Sequence, residues 1–239
     1  MVSWKVHHRS ETASTNLDAR SGSHGDVFTA DFQTAGRGRL DHKWFSPPGV
    51  NLMMSAVLSS GGRSAESVAT LPLVVGLAVV KGIGCRLPTS VAGIRLKWPN
   101  DVWIGGRKVA GILCELNGGL VIAGVGVNVL KADFPPEIAG RATCLAETPG
   151  FSSSIADVRK SVLAELSDAY ERWLGGGFES VYGEIAALDG LRGRVVSVRQ
   201  TDGDASPVCG VCGGIAPDGS LLVGGVRVYA GEANVEHVS

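Results

Sequence analysis

Residues 94–130 read IRLKWPNDVWIGGRKVAGILCELNGGLVIAGVGVNVL, and this stretch decides the fold. Its apolar runs have the length of strands, and the pairs Gly105-Gly106 and Asn117-Gly118 between them favour tight hairpin turns. The pattern predicts four strands, over residues 94–98, 102–104, 108–116 and 120–129. We therefore expect Lys108 to lie where a hairpin strand begins, held by a hydrogen-bonded ladder rather than by a free loop.

Further elements are predicted on both sides of this stretch: strands over residues 27–33 and 50–58, and helices over 70–85, 155–173 and 178–188. The helix at 155 is the clearest, because Ser154 and Asp157 form a capping-box pattern before an apolar face. Ser14 is expected to cap a helix that begins near Thr15.

The last fifty residues have a different character. Short strands are predicted over residues 194–200, 208–215, 221–223 and 226–229. Asp-Gly turns separate them, which is typical of a small β-barrel. We place a domain boundary near residue 189, so that residues 1–188 form one domain and residues 189–239 a second one. The fold class is α+β.

Composition excludes several classes of protein. Lys and Arg total 22 and Asp and Glu total 23, so no charge excess favours nucleic acid or an anionic membrane. The five cysteines are expected to be buried thiols of a reducing compartment, and the Cys209/Cys212 pair to be small core residues rather than zinc ligands. No signal-peptide core or membrane-length apolar run is evident, so we expect a soluble, cytoplasmic protein.

Gly36-Arg37-Gly38-Arg39 follows the strand that ends at Gln33. Glycine lets backbone N–H groups approach a ligand, and arginine offers a planar fork for phosphate or carboxylate. The pattern indicates a loop that folds over an anion, with a solvated basic loop as the alternative. Trp44, which follows a polar stretch, is either a half-buried anchor or a stacking surface for a base.

A second polar cluster combines Lys97, Asn100, Asp101 and Lys108 around one hairpin. A lysine can neutralise a carboxylate that attacks a phosphate, and the aspartate can orient that lysine or help to hold Mg²⁺. A surface salt bridge across the turn is the alternative, and spacing alone does not separate the two.

Two smaller features have similarly open interpretations. Ser14-Thr15-Asn16 are helix-capping residues by default, but they also suit a polar group with donors and acceptors, such as a ureido group. Asn128 ends an apolar strand just after Gly124 and Gly126, which indicates close approach of a ligand or, alternatively, a turn.

Taken together, these clusters resemble the biotin protein ligase family, the biotin–[acetyl-CoA-carboxylase] ligases. The matching stretches are STN at 14–16, QTAGRGR at 33–39, WFSPPGVNL at 44–52, KWPND at 97–101, KVAGIL at 108–113 and GVNV at 126–129. The likeness covers residues 10–188 well and the rest more loosely. It implies a mixed β-sheet flanked by helices, as in class II synthetases, followed by a small Src-homology-like barrel.

The resemblance also implies roles for these residues. The group expected to bind biotin is Ser14, Thr15, Asn16, Gln33, Gly36, Arg37, Gly38, Arg39, Lys108 and Gly111. The group expected to bind the nucleotide is Trp44, which would stack on adenine, with Asn100, Asp101, Lys108 and Asn128. Lys108, Arg39 and Asp101 would carry the chemistry, and Mg²⁺ would accompany ATP, near Asp101.

The implied activity has two steps: biotin and ATP give biotinyl-5′-AMP and pyrophosphate, and biotin then passes to a lysine of a biotin carboxyl carrier domain. Ser14 lies too near the start for a helix-turn-helix domain, so we expect the monofunctional type, without DNA or membrane binding and as a monomer or weak homodimer. Members of the family often carry an arginine near the C-terminus that reaches the nucleotide, and in this sequence that arginine is missing or displaced. The alternatives are a lipoate or octanoate ligase, a non-catalytic biotin-binding regulator, and a nucleotide-binding module.

Overall fold

Seven strands form one mixed sheet in the computed structural model, which describes residues 1–40, 42–88, 93–200 and 206–236. The strands are β1 (Lys5–Thr12), β2 (Asp26–Gln33), β3 (Asn51–Ser59), β4 (Ile94–Lys97), β5 (Asp101–Ile104), β6 (Arg107–Asn117) and β7 (Leu120–Asn128). Their order across the sheet is β1-β2-β3-β7-β6-β5-β4, and the pairs are antiparallel except that of β1 with β2.

The meander predicted from residues 94–130 is confirmed, because β4 to β7 pair in chain order through short hairpins. Lys108 is the second residue of β6, and β6 carries a register shift against β5 beside it. Extra hydrogen bonds tie its backbone to a following segment: Lys108 N–H donates to the Arg141 carbonyl, and Thr143 N–H donates to the Lys108 carbonyl. The lysine is therefore held on both sides by backbone.

Within the described ranges, six helices accompany the sheet: α1 (Thr15–Ala19), α2 (Ala65–Val68), α3 (Leu71–Gly84), α4 (Pro136–Ala139), α5 (Ile155–Gly176) and α6 (Glu179–Ala187), with a 3₁₀ turn at Leu145–Glu147. α3 packs against α5 and against the strands β4 to β6. The stretch Ala65–Gly84 is apolar enough to cross a membrane by composition, but 72% of its apolar window is buried in the protein. Its longer helix, α3, is therefore a core helix.

Close packing of α3 on α5 depends on a glycine. A Cβ at Gly82 would lie 2.6 Å from Val162 Cα, so only a residue without a side chain fits there. The capping box predicted for α5 is confirmed, since Ser154 Oγ accepts from Asp157 N–H and the Asp157 carboxylate accepts from Ser154 N–H. The helix ends at Gly177, whose φ of +70° favours glycine.

The C-terminal residues form a separate five-stranded antiparallel sheet, so the expected α+β class is confirmed. Its strands are β8 (Val195–Arg199), β9 (Val208–Ile215), β10 (Leu221–Val223), β11 (Val226–Val228) and β12 (Glu232–Val235), in the order β11-β10-β9-β8-β12. Trp98 Nε1 donates to the Gly219 carbonyl oxygen at 3.0 Å, and so joins the β4–β5 turn to this second sheet. The division of the chain at residue 189 stays a prediction.

Backbone contacts also cover the outer edge of β4. Leu96 N–H donates to the Leu188 carbonyl at 2.8 Å, and Gly190 N–H donates to the Leu96 carbonyl at 2.7 Å. Just beyond, the Asp189 carboxylate accepts from Leu191 N–H and from Ile215 N–H. The segment that leads into the second sheet therefore pairs with the first one.

Several expectations need correction. β1, α2, α4 and β12 were not predicted, and β1 escaped because it is a polar edge strand without an alternating pattern. Cys85 and Cys209 are exposed rather than buried, and Cys209 lies three residues before buried Cys212, which places the two on opposite faces of β9. Ser14 precedes α1, but within the described chain its hydroxyl makes no capping hydrogen bond. The Asp202-Gly203 turn lies outside the described residues.

Candidate functional site

One cavity of about 500 Å³ opens over β6 and β7, beneath the loop that follows β2. It brings together these predicted residues: Ser14, Thr15, Asn16, Gln33, Arg37, Gly38, Arg39, Trp44, Asn100, Asp101, Lys108, Gly111 and Asn128. Gly36 is the predicted residue that does not line it. Its carbonyl instead accepts from Trp44 N–H, and so closes the base of the loop.

Three glycines on neighbouring strands make room for the cavity and its side chains. A Cβ at Gly111 would lie 3.1 Å from both Lys108 Nζ and the Trp44 ring. At Gly126 it would lie 2.6 Å from the Trp44 ring, and at Gly124 it would collide with Asn16 Oδ1. Gly111 and Gly126 are paired across β6 and β7. The sheet surface under the cavity is therefore backbone, against which bulky side chains and a ligand can lie closely.

One part of the cavity is a network of uncharged polar side chains. Gln33 Oε1 accepts from Thr15 N–H at 2.7 Å and from Thr15 Oγ1 at 3.1 Å. Ser55 Oγ lies 2.8 Å from Thr15 Oγ1 and donates to Asn16 Oδ1 at 2.6 Å. Thr15 and Asn16 are nearly fully buried. Their side chains serve this network rather than helix capping, so the default interpretation of residues 14–16 is wrong for Thr15 and Asn16.

Positive charge gathers in another part, at the start of β6. Lys108 Nζ lies 2.6 Å from Asp101 Oδ1, and Lys97 Nζ lies 3.9 Å from Asp101 Oδ2. Burial lowers the pKa of Lys97 from its ordinary value, while Asp101 acts in the opposite direction. These three side chains form a half-buried group with one carboxylate for two ammonium groups. A surface salt bridge across a turn, the alternative left open from the sequence, does not describe it fully. The net positive charge is available to an anion.

The two arginines of the loop turn in different directions. Arg39 Nη1 donates to Asn100 Oδ1 at 3.3 Å and to the Gly231 carbonyl at 3.2 Å, next to the cationic part. Burial lowers the pKa of its guanidinium, and nearby Asp101 and Glu232 offset part of that effect. Arg37 Nη2 instead lies 3.5 Å from Glu115 Oε1, next to the polar network. The loop thus spans both parts of the cavity.

Trp44 and Asn128 complete the walls. The Lys108 ammonium lies 5.7 Å from the centre of the Trp44 ring, and Trp44 Nε1 is buried without a hydrogen-bond partner in the part of the chain that the structure describes. Trp44 is half-buried, which satisfies both interpretations of the sequence. Asn128 Nδ2 donates to the Thr143 carbonyl at 3.0 Å, so this amide holds the segment after β7 rather than forming a turn.

Some lining and supporting residues were missed from the sequence. Ser55 is a hydroxyl in the middle of the apolar run of β3, and Glu115 is a charge in the apolar part of β6, which could have marked both. Arg194 and Glu232 reach the cavity from the second sheet. No local pattern connects residues so distant along the chain, and only the docking of the two sheets brings them there.

The described ranges contain no group of three or more His, Cys, Asp or Glu side chains that could hold a metal ion. A divalent cation such as Mg²⁺ commonly takes one or two carboxylates and completes its shell with substrate phosphates and water. The carboxylate of Asp101 fits that limited role beside the cationic groups. The arrangement as a whole offers hydrogen-bonding groups for a polar head, cations for two anions, and an indole surface.

The model of the Biotin/lipoate A/B protein ligase family matches residues 7–131 of this chain. A Bacillus spizizenii protein described as a bifunctional ligase/repressor BirA is 35% identical over 166 residues, which is 66% of this chain and 49% of that protein. The chain thus matches about half the length of that relative.

Two other proteins match over nearly the whole chain. A biotin–[acetyl-CoA-carboxylase] ligase of Mycobacterium tuberculosis is 31% identical over 238 residues, covering 95% of this chain and 87% of that protein. The solved structure of a biotin protein ligase from Aquifex aeolicus, in complex with biotin and ATP, has a TM-score of 0.84 at 29% identity, covering 97% of this chain and 98% of that chain.

Proposed function

Because the chain belongs to the biotin/lipoate A/B protein ligase family, we propose that it is a biotin protein ligase that makes biotinyl-5′-AMP from biotin and ATP. The observation that carries the proposal is the Lys108–Asp101 contact of 2.6 Å in the same cavity as the Thr15–Gln33 network. One half of the cavity suits a neutral polar ring, and the other suits the meeting of a carboxylate and a phosphate.

The polar network suits the ureido ring of biotin, which has two N–H donors and one carbonyl acceptor. Gln33 Oε1 is occupied by Thr15, so the Gln33 amide nitrogen and the Ser14 hydroxyl are the groups left to face a ligand. Thr15 and Asn16 are fixed by Ser55 and keep the network rigid. A buried hydrogen-bonding site of this kind discriminates strongly against a ring that lacks the matching groups, such as that of lipoate.

The cationic part suits the first chemical step. A carboxylate oxygen of biotin attacks the α-phosphorus of ATP, the bond to the β-phosphate oxygen breaks, and pyrophosphate leaves. The two reactants are both anions, so the step requires screening and in-line placement rather than a protein nucleophile. Lys108 and Arg39 provide positive charge, Asp101 holds the Lys108 ammonium in place, and Trp44 offers its ring to adenine.

The loop of residues 36–39 suits the protection of the product. Biotinyl-AMP is a mixed anhydride that water destroys, so a cover must stay closed until the acceptor arrives. In the second step a deprotonated lysine amine attacks the acyl carbon and AMP leaves. We propose that the acceptor is the carrier domain of a biotin-dependent carboxylase.

Further parts of the proposal rest on the same chemistry. Mg²⁺ would come with ATP, held mainly by its phosphates and by Asp101, and would supply charge neutralisation there. The near-zero net charge supports a protein that acts without binding DNA or an anionic membrane. EDTA should then abolish adenylation, and excess Mg²⁺ should restore it.

The decisive experiment is biotin-dependent exchange of labelled pyrophosphate into ATP, with Mg²⁺ and without any acceptor. We expect exchange with biotin and none with lipoate or octanoate at the same concentration. Exchange with lipoate alone would make the chain a lipoate ligase, and tight biotin binding without exchange would make it a binding protein. Addition of a carrier domain should then consume the biotinyl-AMP and label its lysine.

A further inference from the structure

Glu115 is a carboxylate in an otherwise apolar part of β6, and the proposed chemistry does not use it. Its side chain is 23% exposed and lies between the polar network and the loop of residues 36–39. Glu115 Oε2 accepts from Asn16 Nδ2 at 2.5 Å, and Glu115 Oε1 lies 3.5 Å from Arg37 Nη2. One carboxylate therefore contacts both the floor and the cover of the cavity.

The contact with Asn16 is the shorter of the two hydrogen bonds that orient the nitrogen of this amide. Asn16 Oδ1 accepts from Ser55 Oγ, so its nitrogen must face an acceptor, and Glu115 is the near one at 2.5 Å against 3.5 Å for the Leu113 carbonyl. An amide turned by 180° would place oxygen against the carboxylate and nitrogen against the hydroxyl. Glu115 thus sets the direction of the network.

The contact with Arg37 separates the two arginines of the loop. Arg39 is held by Asn100 and by the Gly231 carbonyl, whereas Arg37 finds its acceptor at Glu115. The loop is consequently attached at two points, one in each half of the cavity.

We propose that Glu115 is a positioning residue that links the ring-binding network to closure of the loop, by holding the Asn16 amide with one oxygen and Arg37 with the other. This inference rests on the proposed function, and it names the residue that keeps the biotin end of the loop shut. The biotin ring would bind against the polar network, and the Glu115 carboxylate that orients this network also anchors the loop over the ring.

Three variants separate this role from ordinary structural support. Glu115→Gln keeps an acceptor for Asn16 but turns an amide nitrogen toward Arg37, so it removes the loop contact together with the ion pair to Arg20. Arg37→Gln removes the same contact from the other side. Arg20→Gln is the matched control, because Arg20 Nη2 lies 3.6 Å from the same Glu115 oxygen but does not line the cavity.

The measurement is the escape of preformed biotinyl-AMP from enzyme in single-turnover conditions, beside the KM values of biotin and ATP. We expect Glu115→Gln and Arg37→Gln each to speed escape about fivefold, a size ordinary for a half-exposed ion pair. The double variant should also be about fivefold faster, since both changes remove one contact. The KM of ATP and the melting temperature should stay unchanged, and Arg20→Gln should behave as wild type.

Wild-type escape from Glu115→Gln, together with fast escape from Arg37→Gln, would overturn the proposal. Equal acceleration by Arg20→Gln would overturn it too, because the effect would then be one of general surface charge. If the wild type makes no biotinyl-AMP, the proposed function fails, and tryptic cleavage after Arg37 in the free protein still decides the role of Glu115. That cleavage should be about fivefold faster in Glu115→Gln, and equal rates would reject the link.

Discussion

Arg39 donates a hydrogen bond to the carbonyl oxygen of Gly231, 192 residues further along the chain, at a distance of 3.2 Å. Gly231 directly precedes β12, so the loop over the cavity is attached to the second sheet. In the next residue, Glu232, the carboxylate Oε2 lies 3.8 Å from Nε2 of His42, which follows that loop. Closure of the cavity is therefore a property of both sheets together, which explains how the C-terminal sheet contributes to a site built mainly from the first 130 residues.

Replacement of Arg39 by glycine should release biotinyl-AMP. The variant loses the contacts with Asn100 and Gly231 and a cation next to Asp101. Because hydrogen bonds from a charged group contribute about 1.5–3 kcal/mol, we expect escape of the intermediate to become at least about tenfold faster. Labelling of unrelated proteins by the released anhydride measures it. Arg39→Lys keeps the charge but lacks the planar guanidinium. Its rate of biotinyl-AMP escape should lie between those of the wild type and Arg39→Gly. Retention equal to that of the wild type would contradict the role of the loop.

Replacement of Lys108 by alanine should nearly abolish adenylation. It removes the ammonium group closest to Asp101 and leaves that carboxylate to repel the incoming anions. Loss of one preorganised charge of this kind commonly lowers rates by about 100-fold or more. Pyrophosphate exchange checks it, with Lys160→Ala on the exposed side of α5 as the control. Loss of one such group produces a far larger change than about threefold. An exchange rate within about threefold of wild type would therefore reject a catalytic role for Lys108.

Two alanine substitutions on β7 should divide the cavity into its halves. Gly124→Ala pushes a methyl group into Asn16 Oδ1, and Gly126→Ala pushes one into the Trp44 ring. Overpacking of this kind costs about 1–3 kcal/mol, so we expect biotin affinity to fall about thirtyfold in the first and the KM of ATP to rise about tenfold in the second. Calorimetry and steady-state kinetics measure the two effects. Identical losses in both variants would show that the halves are not separable.

A pair of glycines in α3 tests the core packing. Gly82→Ala places a methyl group 2.6 Å from Val162 Cα and should lower the free energy of unfolding by about 2 kcal/mol. Gly84→Ala meets only Ile94 Cδ1, at an ordinary 3.7 Å, and should be neutral or stabilising by up to about 1 kcal/mol. Thermal melts of both variants check this. A stable Gly82→Ala protein would show that α3 and α5 separate more easily than their packing indicates.

Much of the fold followed from local sequence. The four strands of residues 94–130 and the capped helix α5 were expected within a few residues, because hairpin pairs and capping boxes are chemical patterns of neighbours. β1 was missed because it is an exposed edge strand. Neither of its faces is buried, so its sequence KVHHRSET does not alternate between apolar and polar residues. The short strand β12 is held by pairing with β8, and its own residues indicate little.

The site was only partly within reach. The motifs at 14–16, 36–39, 97–101 and 108 were identified because each places polar or charged residues together in a pattern that suits a ligand, and the structure brings them into one cavity. The different directions of Arg37 and Arg39 were not foreseeable, because they depend on acceptors 78 and 192 residues away. The same holds for Glu115 and Ser55, whose partners lie on α1 and, for Glu115, also on the loop after β2.

The pairing of β4 also bears on how the chain folds during synthesis. The outer edge of β4 is closed by residues 188–190, and Trp98 finds its acceptor at Gly219, 121 residues later. On the ribosome, the outer edge of the hairpin that carries Lys97 and Asp101 therefore stays unpaired while α5, α6 and the second sheet are still being synthesised. The cationic half of the cavity is consequently completed only after the second sheet has been made, and a prematurely released fragment would carry an exposed strand edge into the cell.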